Sequence, residues 1–214
     1  MKREILNNLD LLPFFSVAAI TAFEKIRHRA LHQNLQRWVR SGHLIRLKNG
    51  LYVTKTHVDR CLHDKSYLEL IANKLTIPSY LSLEYVLQKN GLLTEATFMI
   101  TSMTLKTTRR YQNKLGVFDY RHVHSRLYFG FERRPYGRNV IYEAAVAKAL
   151  FDFLYLRLAS LDPTDVTTLE EMRINWSQLG TAPFQEFLKI VKKSGIKKMV
   201  AMIPLLKEIY GDSR

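Results

Sequence analysis

The sequence has little of several residue types, and each shortage narrows the classes of protein to which the chain can belong. Its 214 residues include one cysteine, 9 glycines and 6 prolines. The single cysteine, Cys61, excludes an internal disulfide framework and is typical of proteins in a reducing cytoplasm. The small number of glycines and prolines excludes a collagen-like or low-complexity chain.

Long apolar runs are also missing. The longest nearly charge-free stretch, residues 11–23, is shorter than the roughly 20 residues that a transmembrane helix needs, and it contains Pro13. The basic N-terminus has neither the continuous apolar region nor the small-residue cleavage site of a signal peptide. We therefore expect a cytoplasmic protein with no membrane partner.

Acidic residues are scarce, and the positive charge is unevenly distributed. There are 19 Asp and Glu residues against 33 Lys and Arg, which gives a formal net charge of +14. Residues 1–60 and residues 101–140 each carry a net charge of +7, while the segments between and after them are close to neutral. Two separate basic segments favour a polyanionic partner, with nucleic acid ahead of a membrane surface. The alternative is a basic surface without a partner.

A basic amphipathic helix is predicted over residues 28–41. Leu31, Leu35 and Trp38 form one apolar stripe, and Gly42 is expected to end the helix. Its other side has no acidic residue, and Arg and Gln are the side chains that read guanine and adenine edges in the major groove. The alternative is an ordinary helix with a solvated basic face. The predicted DNA-facing residues are Arg29, His32, Gln33, Gln36, Arg37 and Arg40.

The surrounding pattern predicts a winged helix-turn-helix over residues 1–58. Helices are expected over residues 2–12 and 17–23, with Ser16 as the N-cap of the second. Strands at 43–47 and 51–54 flank an Asn-Gly turn, which is typical of a tight hairpin. In this arrangement the third helix would enter the major groove of double-stranded DNA. Arg46 and Lys48, on the hairpin wing, would lie against phosphates.

Residues 64–214 are predicted to form a second, mixed α/β domain, so that the fold class of the chain is α+β. Residues 143–158 are apolar around much of the circumference of a helix, which indicates a central buried helix. Strands are expected at residues 96–104, 117–120, 123–129 and 139–142.

A series of short motifs resembles the AbiEi-type antitoxins in order and spacing over residues 1–160. The motifs are LQRWVRSGHL at 35–44, NGLYV at 49–53, LIAN at 70–73, PSYLSLE at 78–84, GLL at 91–93, FDY at 118–120, YFGF at 128–131 and AKALFD at 147–152. One departure is Ala147, where the family pattern suggests an acidic residue.

This resemblance implies a function. Proteins of the family are antitoxins of type IV toxin–antitoxin systems, encoded beside a nucleotidyltransferase-like toxin. They repress their own operon by binding inverted repeats through the N-terminal winged helix, and their C-terminal domain is needed against the toxin. The resemblance therefore implies a non-enzymatic repressor with no cofactor, with operator DNA and a toxin as partners.

The second basic segment is a further candidate binding surface, for DNA, RNA or an acidic protein. Arginines interleaved with tyrosines suit phosphate contacts and base stacking, although a solvated loop is the alternative. The candidate residues are Arg109, Arg110, Arg133, Arg134 and Arg138.

Catalytic and metal sites are not expected. A nuclease would need Asp119 and Glu132 to hold Mg²⁺ with a lysine nearby, but an arginine, Arg134, stands in that place. His57, Cys61 and His63 lack a fourth zinc ligand nearby. The main alternative function is a winged-helix regulator whose C-terminal domain senses an unrelated ligand or partner, and a neighbouring nucleotidyltransferase gene would separate it from an antitoxin.

Overall fold

The computed structural model of the chain describes residues 2–23, 28–61, 63–95 and 98–213. The side chains of residues 2–5, 22–23 and 28–29 lie outside this description. Within the described part, helices pack against two β-sheets, so the mixed α and β class predicted from the sequence is confirmed. None of the helices described there is long and apolar enough to cross a membrane.

The N-terminal part has a small apolar core of its own. Its elements are α1 (Lys2–Leu9), β1 (Phe15–Ser16), α2 (Val17–Phe23), α3 (His28–Arg40), β2 (Leu44–Lys48), β3 (Leu51–Thr54) and α4 (Lys55–Arg60). The α3 stripe of Leu31, Leu35 and Trp38 is buried in this core, as its spacing predicts. The Ser16 hydroxyl accepts a hydrogen bond from the backbone N–H of Ala19 at 3.1 Å, which confirms the predicted N-cap of α2.

The β2–β3 hairpin is buried on both faces. Gly50, with a φ of +76°, supplies the left-handed turn residue, and β1 pairs with the far side of β3 to give the strand order β1-β3-β2. Leu44 and Tyr52 lie in the small core next to α3. The opposite face of the hairpin belongs to the main core of the molecule. The residues on that second face are Ile45, Leu47, Leu51 and Val53.

A six-stranded sheet organises the rest of the chain, in the order β6-β7-β5-β4-β9-β8. Its strands are β4 (Ser79–Leu81), β5 (Met99–Thr104), β6 (Arg109–Asn113), β7 (Gly116–His122), β8 (Phe131–Tyr136) and β9 (Asn139–Ala144). The β5–β7 and β4–β9 pairs are parallel and the other pairs are antiparallel. The helices are α5 (Lys65–Leu75), α6 (Leu83–Lys89), α7 (Val146–Leu156), α8 (Thr167–Glu170), α9 (Thr181–Ser194), α10 (Lys197–Ala201) and α11 (Ile203–Asp212).

Helix α7 is the central buried helix that its composition predicts. Every residue from 147 to 154 is buried, and the helix packs against α6 and α9. It is shorter at both ends than the predicted 143–158. The N-terminal end starts later because residues 139–144 pair as β9.

The strand predicted over residues 123–129 is wrong. Residues 125–127 form a single 3₁₀ turn instead, and the ring of His124 accepts a hydrogen bond from the backbone N–H of Arg126 at 3.3 Å. Strands β4, β6 and β8 have no counterpart among the sequence predictions. The short polar strands at the two edges of the sheet lack the dense run of β-forming residues on which the sequence prediction depends.

The two predicted domains are in extensive contact. The Asn113 side-chain amide on β6 donates to the Leu47 carbonyl oxygen on β2 at 3.0 Å. The Tyr67 hydroxyl on α5 donates to the Pro13 carbonyl oxygen at 2.8 Å. Together with the shared apolar face of the hairpin, these contacts hold residues 1–60 against the six-stranded sheet.

Candidate nucleic-acid interface

The outer face of α3 is exposed, polar and free of acidic residues. Opposite the buried Leu31 and Leu35, the helix exposes three basic side chains and two glutamines. These exposed residues are His32, Gln33, Gln36, Arg37 and Arg40, all of them expected from the sequence to face DNA. The side chain of Arg29, the remaining residue of that set, lies outside the described residues. This face therefore offers guanidinium and amide groups at helical spacing, the groups that recognise base edges.

Arg46 lies beside this face. It pairs with Tyr52 across the hairpin, on the same side as Leu44, and its side chain is exposed. Strand β2 packs against α3 through that side of the hairpin. Arg46 is thus an exposed cation on the hairpin side that packs against α3, where it lines a groove together with Val39 of that helix, in a position suited to a phosphate flanking the groove that the helix would enter.

Lys48 does not point into solvent at the hairpin tip. Its ammonium group donates to the carbonyl oxygens of Leu75 at 2.8 Å and Lys74 at 3.4 Å, at the end of α5. The last carbonyls of a helix carry partial negative charge, so this cation is already well satisfied. Lys48 therefore joins the two parts of the chain, and two of the three N–H donors of its ammonium group are engaged at the end of α5.

The second basic segment is not one surface. Arg109 and Arg110 lie on β6, whereas Arg133 and Arg134 lie on β8 and Arg138 follows in the β8–β9 turn. These strands are the opposite edges of the six-stranded sheet. Five strand spacings of about 4.8 Å separate the edges by roughly 24 Å. The expectation of a single second basic patch is therefore corrected to two, one of which lies beside the N-terminal part.

Three arginines of this segment are held by buried carboxylates. Arg110 Nε donates to Asp119 at 3.1 Å, and Arg121 Nε approaches the other oxygen of the same carboxylate at 2.9 Å. Arg134 is paired with the buried Glu69 on α5. Arg109, Arg133 and Arg138 are exposed and have no such carboxylate partner in the part of the chain that the structure describes. Their guanidinium groups are therefore better placed than those of the paired arginines for contact with an external anion.

A groove runs between the hairpin strand β2 and the β6 edge of the sheet. Its volume is about 410 Å³, and it is lined by β2, by β6 with the turn that follows it, and by one residue of α3, Val39. Its lining includes Arg46 and Lys48 on one side and Gln112 and Lys114 on the other, with no acidic residue among the described lining residues. Gln112 and Lys114, both exposed, are absent from the sequence-based site. The position of Lys114 in a turn between two strands could have indicated that its side chain is exposed. No nearby residue in the sequence indicates that it lies across a groove from Arg46.

The residues that a metal-dependent nuclease would need are far apart. Asp119 is on β7 and Glu132 is on β8, four strand spacings away in the same sheet, or roughly 19 Å. Two carboxylates that hold one metal ion must lie within a few ångströms of each other. No group of three or more potential metal ligands occurs among the residues that the structure describes.

Cys61 has a neighbouring histidine but is a poor nucleophile. Its sulfur lies 3.6 Å from His57 Nε2, and His57 Nδ1 lies 3.0 Å from the Asp10 carbonyl oxygen. Burial, together with the negative charge of Asp64, raises the pKa of the Cys61 thiol. A protonated thiol is unreactive, so this cluster provides no activated thiolate at neutral pH.

The AKALFD motif places an ion pair in the centre of the main core. Lys148 and Asp152, both fully buried on α7, form a salt bridge, and Asp152 also accepts from the Ser82 hydroxyl at 2.8 Å and the Tyr80 hydroxyl at 3.0 Å. Burial lowers the pKa of Lys148 and raises the pKa of Asp152. The ammonium group lies 5.0 Å from the centre of the Phe151 ring. No described pocket is lined by this pair, so its place is in the packing of the core.

No protein-family model matches this chain, and no curated protein matches it either.

Proposed function

We propose that the chain is a DNA-binding antitoxin that represses its own operon and counteracts a nucleotidyltransferase-like toxin. The observation that carries the DNA-binding part is the exposed, acid-free face of α3, with Gln33, Gln36, Arg37 and Arg40 beside the exposed Arg46. A net charge of +14 supports a polyanionic partner. The resemblance of the sequence motifs to AbiEi-type antitoxins supports the operon and toxin parts.

In this proposal the N-terminal part is a winged helix-turn-helix. The succession α1, β1, α2, α3, β2, β3, with the three strands in one small sheet, supports that assignment. Helix α3 is then the recognition helix in the major groove of an operator inverted repeat, and Arg46 contacts the backbone. Lys48 is left out of the interface because α5 already binds its ammonium group.

A DNA-binding assay on the full chain tests this proposal. The probe is a labelled duplex from the region upstream of the gene, compared with a random duplex of equal length. Preference for the upstream duplex supports the repressor, and equal affinity for both contradicts specific recognition.

Rescue of growth when the neighbouring gene is expressed tests the antitoxin part. Cleavage of a plasmid in the presence of Mg²⁺ would instead indicate the nuclease.

A regulator that senses a small anionic ligand is the second candidate, and one cleft favours it. A cleft of about 400 Å³ beside β7 is lined by Arg110, Arg121 and Arg157, together with Asp119 and Glu84, the carboxylates with which these arginines form salt bridges. Leu83, which also lines it, has a φ of +62°, a left-handed conformation that is costly for a leucine and is often found at binding sites. DNA binding that changes with a small anion, without any effect on toxin-inhibited growth, would favour this candidate.

Direct base readout by α3 gives a first testable prediction. Replacing Gln33 or Gln36 by Ala is expected to cost about 1–3 kcal/mol of binding free energy on the upstream duplex and much less on random DNA, because a bidentate base contact is lost. The measurement is fluorescence anisotropy with both duplexes. Gln185→Ala, at an exposed glutamine on α9, is the matched control and should bind like the wild type. Equal losses on both duplexes would mean that these glutamines touch only the backbone or nothing.

Alanine substitutions of Arg46 and Lys48, two basic residues of strand β2, are expected to have different effects on DNA binding and on stability. Arg46→Ala is expected to flatten the slope of log K against log salt by about 0.9, because one phosphate contact is lost. Lys48→Ala should leave that slope unchanged and lower the unfolding free energy by about 1.5–3 kcal/mol, because its charged hydrogen bonds to α5 are lost. Salt titrations and urea denaturation of both variants measure this. A flattened slope for Lys48→Ala would place Lys48 on the DNA.

A further inference from the structure

The groove between β2 and the β6 edge indicates that the binding surface of this chain extends beyond α3 and Arg46. Its two walls come from the two parts of the chain: Arg46 lies on one wall, and Gln112 and Lys114 lie on the other. The described lining carries three cations, of which Lys48 is bonded to the end of α5, and no anion. A surface of this charge, to which α3 contributes Val39, is complementary to the phosphates of a duplex on which α3 rests.

We propose that one strand of the DNA backbone lies along this groove, with Lys114 and Gln112 contacting its phosphates from the C-terminal part of the chain. The inference rests on the proposed DNA-binding function and assigns part of the second basic segment to it. It also separates that segment by function: the β6 edge joins the DNA surface, whereas the β8 edge, with Arg133 and Arg138, does not.

The two walls are held together without DNA, which favours a preformed site. The Asn113 side chain, next to Lys114, donates to the Leu47 carbonyl oxygen at 3.0 Å, and Asn113 Oδ1 accepts from the backbone N–H of Leu115 at 2.8 Å. Lys48 adds its bonds to the end of α5. Because these contacts fix the turn of Lys114 relative to β2, little ordering of the backbone is needed when a phosphate binds.

The sheet supplies a matched control for the test. Lys114 lies in the turn between β6 and β7, and Arg138 lies in the turn between β8 and β9. Both are exposed cations in hairpin turns, at opposite edges of one sheet. Lys114→Ala and Arg138→Ala therefore remove the same charge from the same kind of position, and of the two residues only Lys114 lines the groove.

The experiment measures binding of the full-length chain to the upstream duplex between 50 and 200 mM salt. Lys114→Ala is expected to weaken binding about fivefold at 0.15 M salt and to flatten the log K against log salt slope by about 0.9, the effect of one lost phosphate contact. Arg138→Ala should change neither quantity. Gln112→Glu, which places a negative charge in the groove, should weaken binding further than an uncharged replacement by Ala.

The remaining outcomes separate a failure of the groove inference from a failure of the proposed function. If Lys114→Ala behaves like Arg138→Ala while Arg46→Ala flattens the slope, DNA does not occupy the groove and the inference is wrong, although the proposed function stands. If the wild-type chain binds neither the upstream nor the random duplex, the proposed function itself fails. A single-stranded RNA of equal length that binds more tightly than the duplex, with the sensitivity to Lys114 transferred to it, would assign the groove to RNA and contradict the DNA proposal.

Discussion

Residues 1–58 expressed alone are expected to be largely unfolded. In the full chain, one face of the β2–β3 hairpin is buried in the main core, through Ile45, Leu47, Leu51 and Val53. Full burial of one such side chain contributes about 1.5–3 kcal/mol, so removal of the C-terminal part forfeits up to about 6–12 kcal/mol. That loss is comparable to the total stability of a small domain, which is about 5–15 kcal/mol.

Circular dichroism and amide proton spectra of the fragment measure this, with the full chain as the reference. A flat thermal profile and poor amide dispersion are expected of the fragment, and a cooperative transition is expected of the full chain. A well-dispersed spectrum and a cooperative transition from residues 1–58 would show that the small core around α3 suffices. Because of this dependence, the DNA-binding experiments above use the full chain.

Local signals in the sequence predicted the N-terminal elements well. The Leu31, Leu35 and Trp38 spacing places one side of α3 in the core, and Gly42, with a φ of +78°, follows the helix end. The Asn49-Gly50 pair correctly predicted a hairpin turn, since a tight turn needs residues that tolerate a positive φ. Each of these features depends on residues no more than seven positions apart.

What the sequence could not supply is the arrangement of distant elements. The separation of Arg109 from Arg133 follows from strand order, and no local pattern encodes which strands become edges of a sheet. The same limit applies to the groove, since the proximity of Lys114 to Arg46 results from packing between the two parts of the chain.

The sequence predicts only part of the candidate site, because only part of it depends on local patterns. The exposed side of α3 follows directly from helical periodicity, so five of its six predicted residues lie where expected and the side chain of the sixth, Arg29, is not described. The predicted hairpin wing implies a phosphate contact for Lys48, whereas its bond to the end of α5 is a tertiary contact over 27 residues of sequence. Exposure along one helix is a local property, whereas the partner of a charged side chain is not.

Lys148→Met is expected to lower the unfolding free energy by about 3–5 kcal/mol, because it leaves the buried Asp152 without its cation. Urea denaturation at pH 7 measures the loss. Lys193→Met is the matched control. Lys193 is exposed, and its ammonium group lies 4.5 Å from the centre of the Phe129 ring, which the ammonium group of Lys148 also faces. The control should stay within about 0.5 kcal/mol of the wild type, as surface substitutions usually do.

Acid should relieve the loss caused by Lys148→Met. Burial already raises the pKa of Asp152 in the folded chain, and removal of the neighbouring ammonium raises it further, above the value of about 3.9 in the unfolded chain. The folded variant therefore binds a proton more readily than the unfolded one, so its stability relative to wild type rises as the pH falls through the folded-state pKa of Asp152 towards about 4. The double variant Lys148→Met/Asp152→Asn removes both charges and should recover part of the stability at pH 7, since the Asn oxygen still accepts from Ser82 and Tyr80. A loss that is the same at every pH and is not reduced in the double variant would mean that packing around Lys148, and not the charge of Asp152, determines the cost.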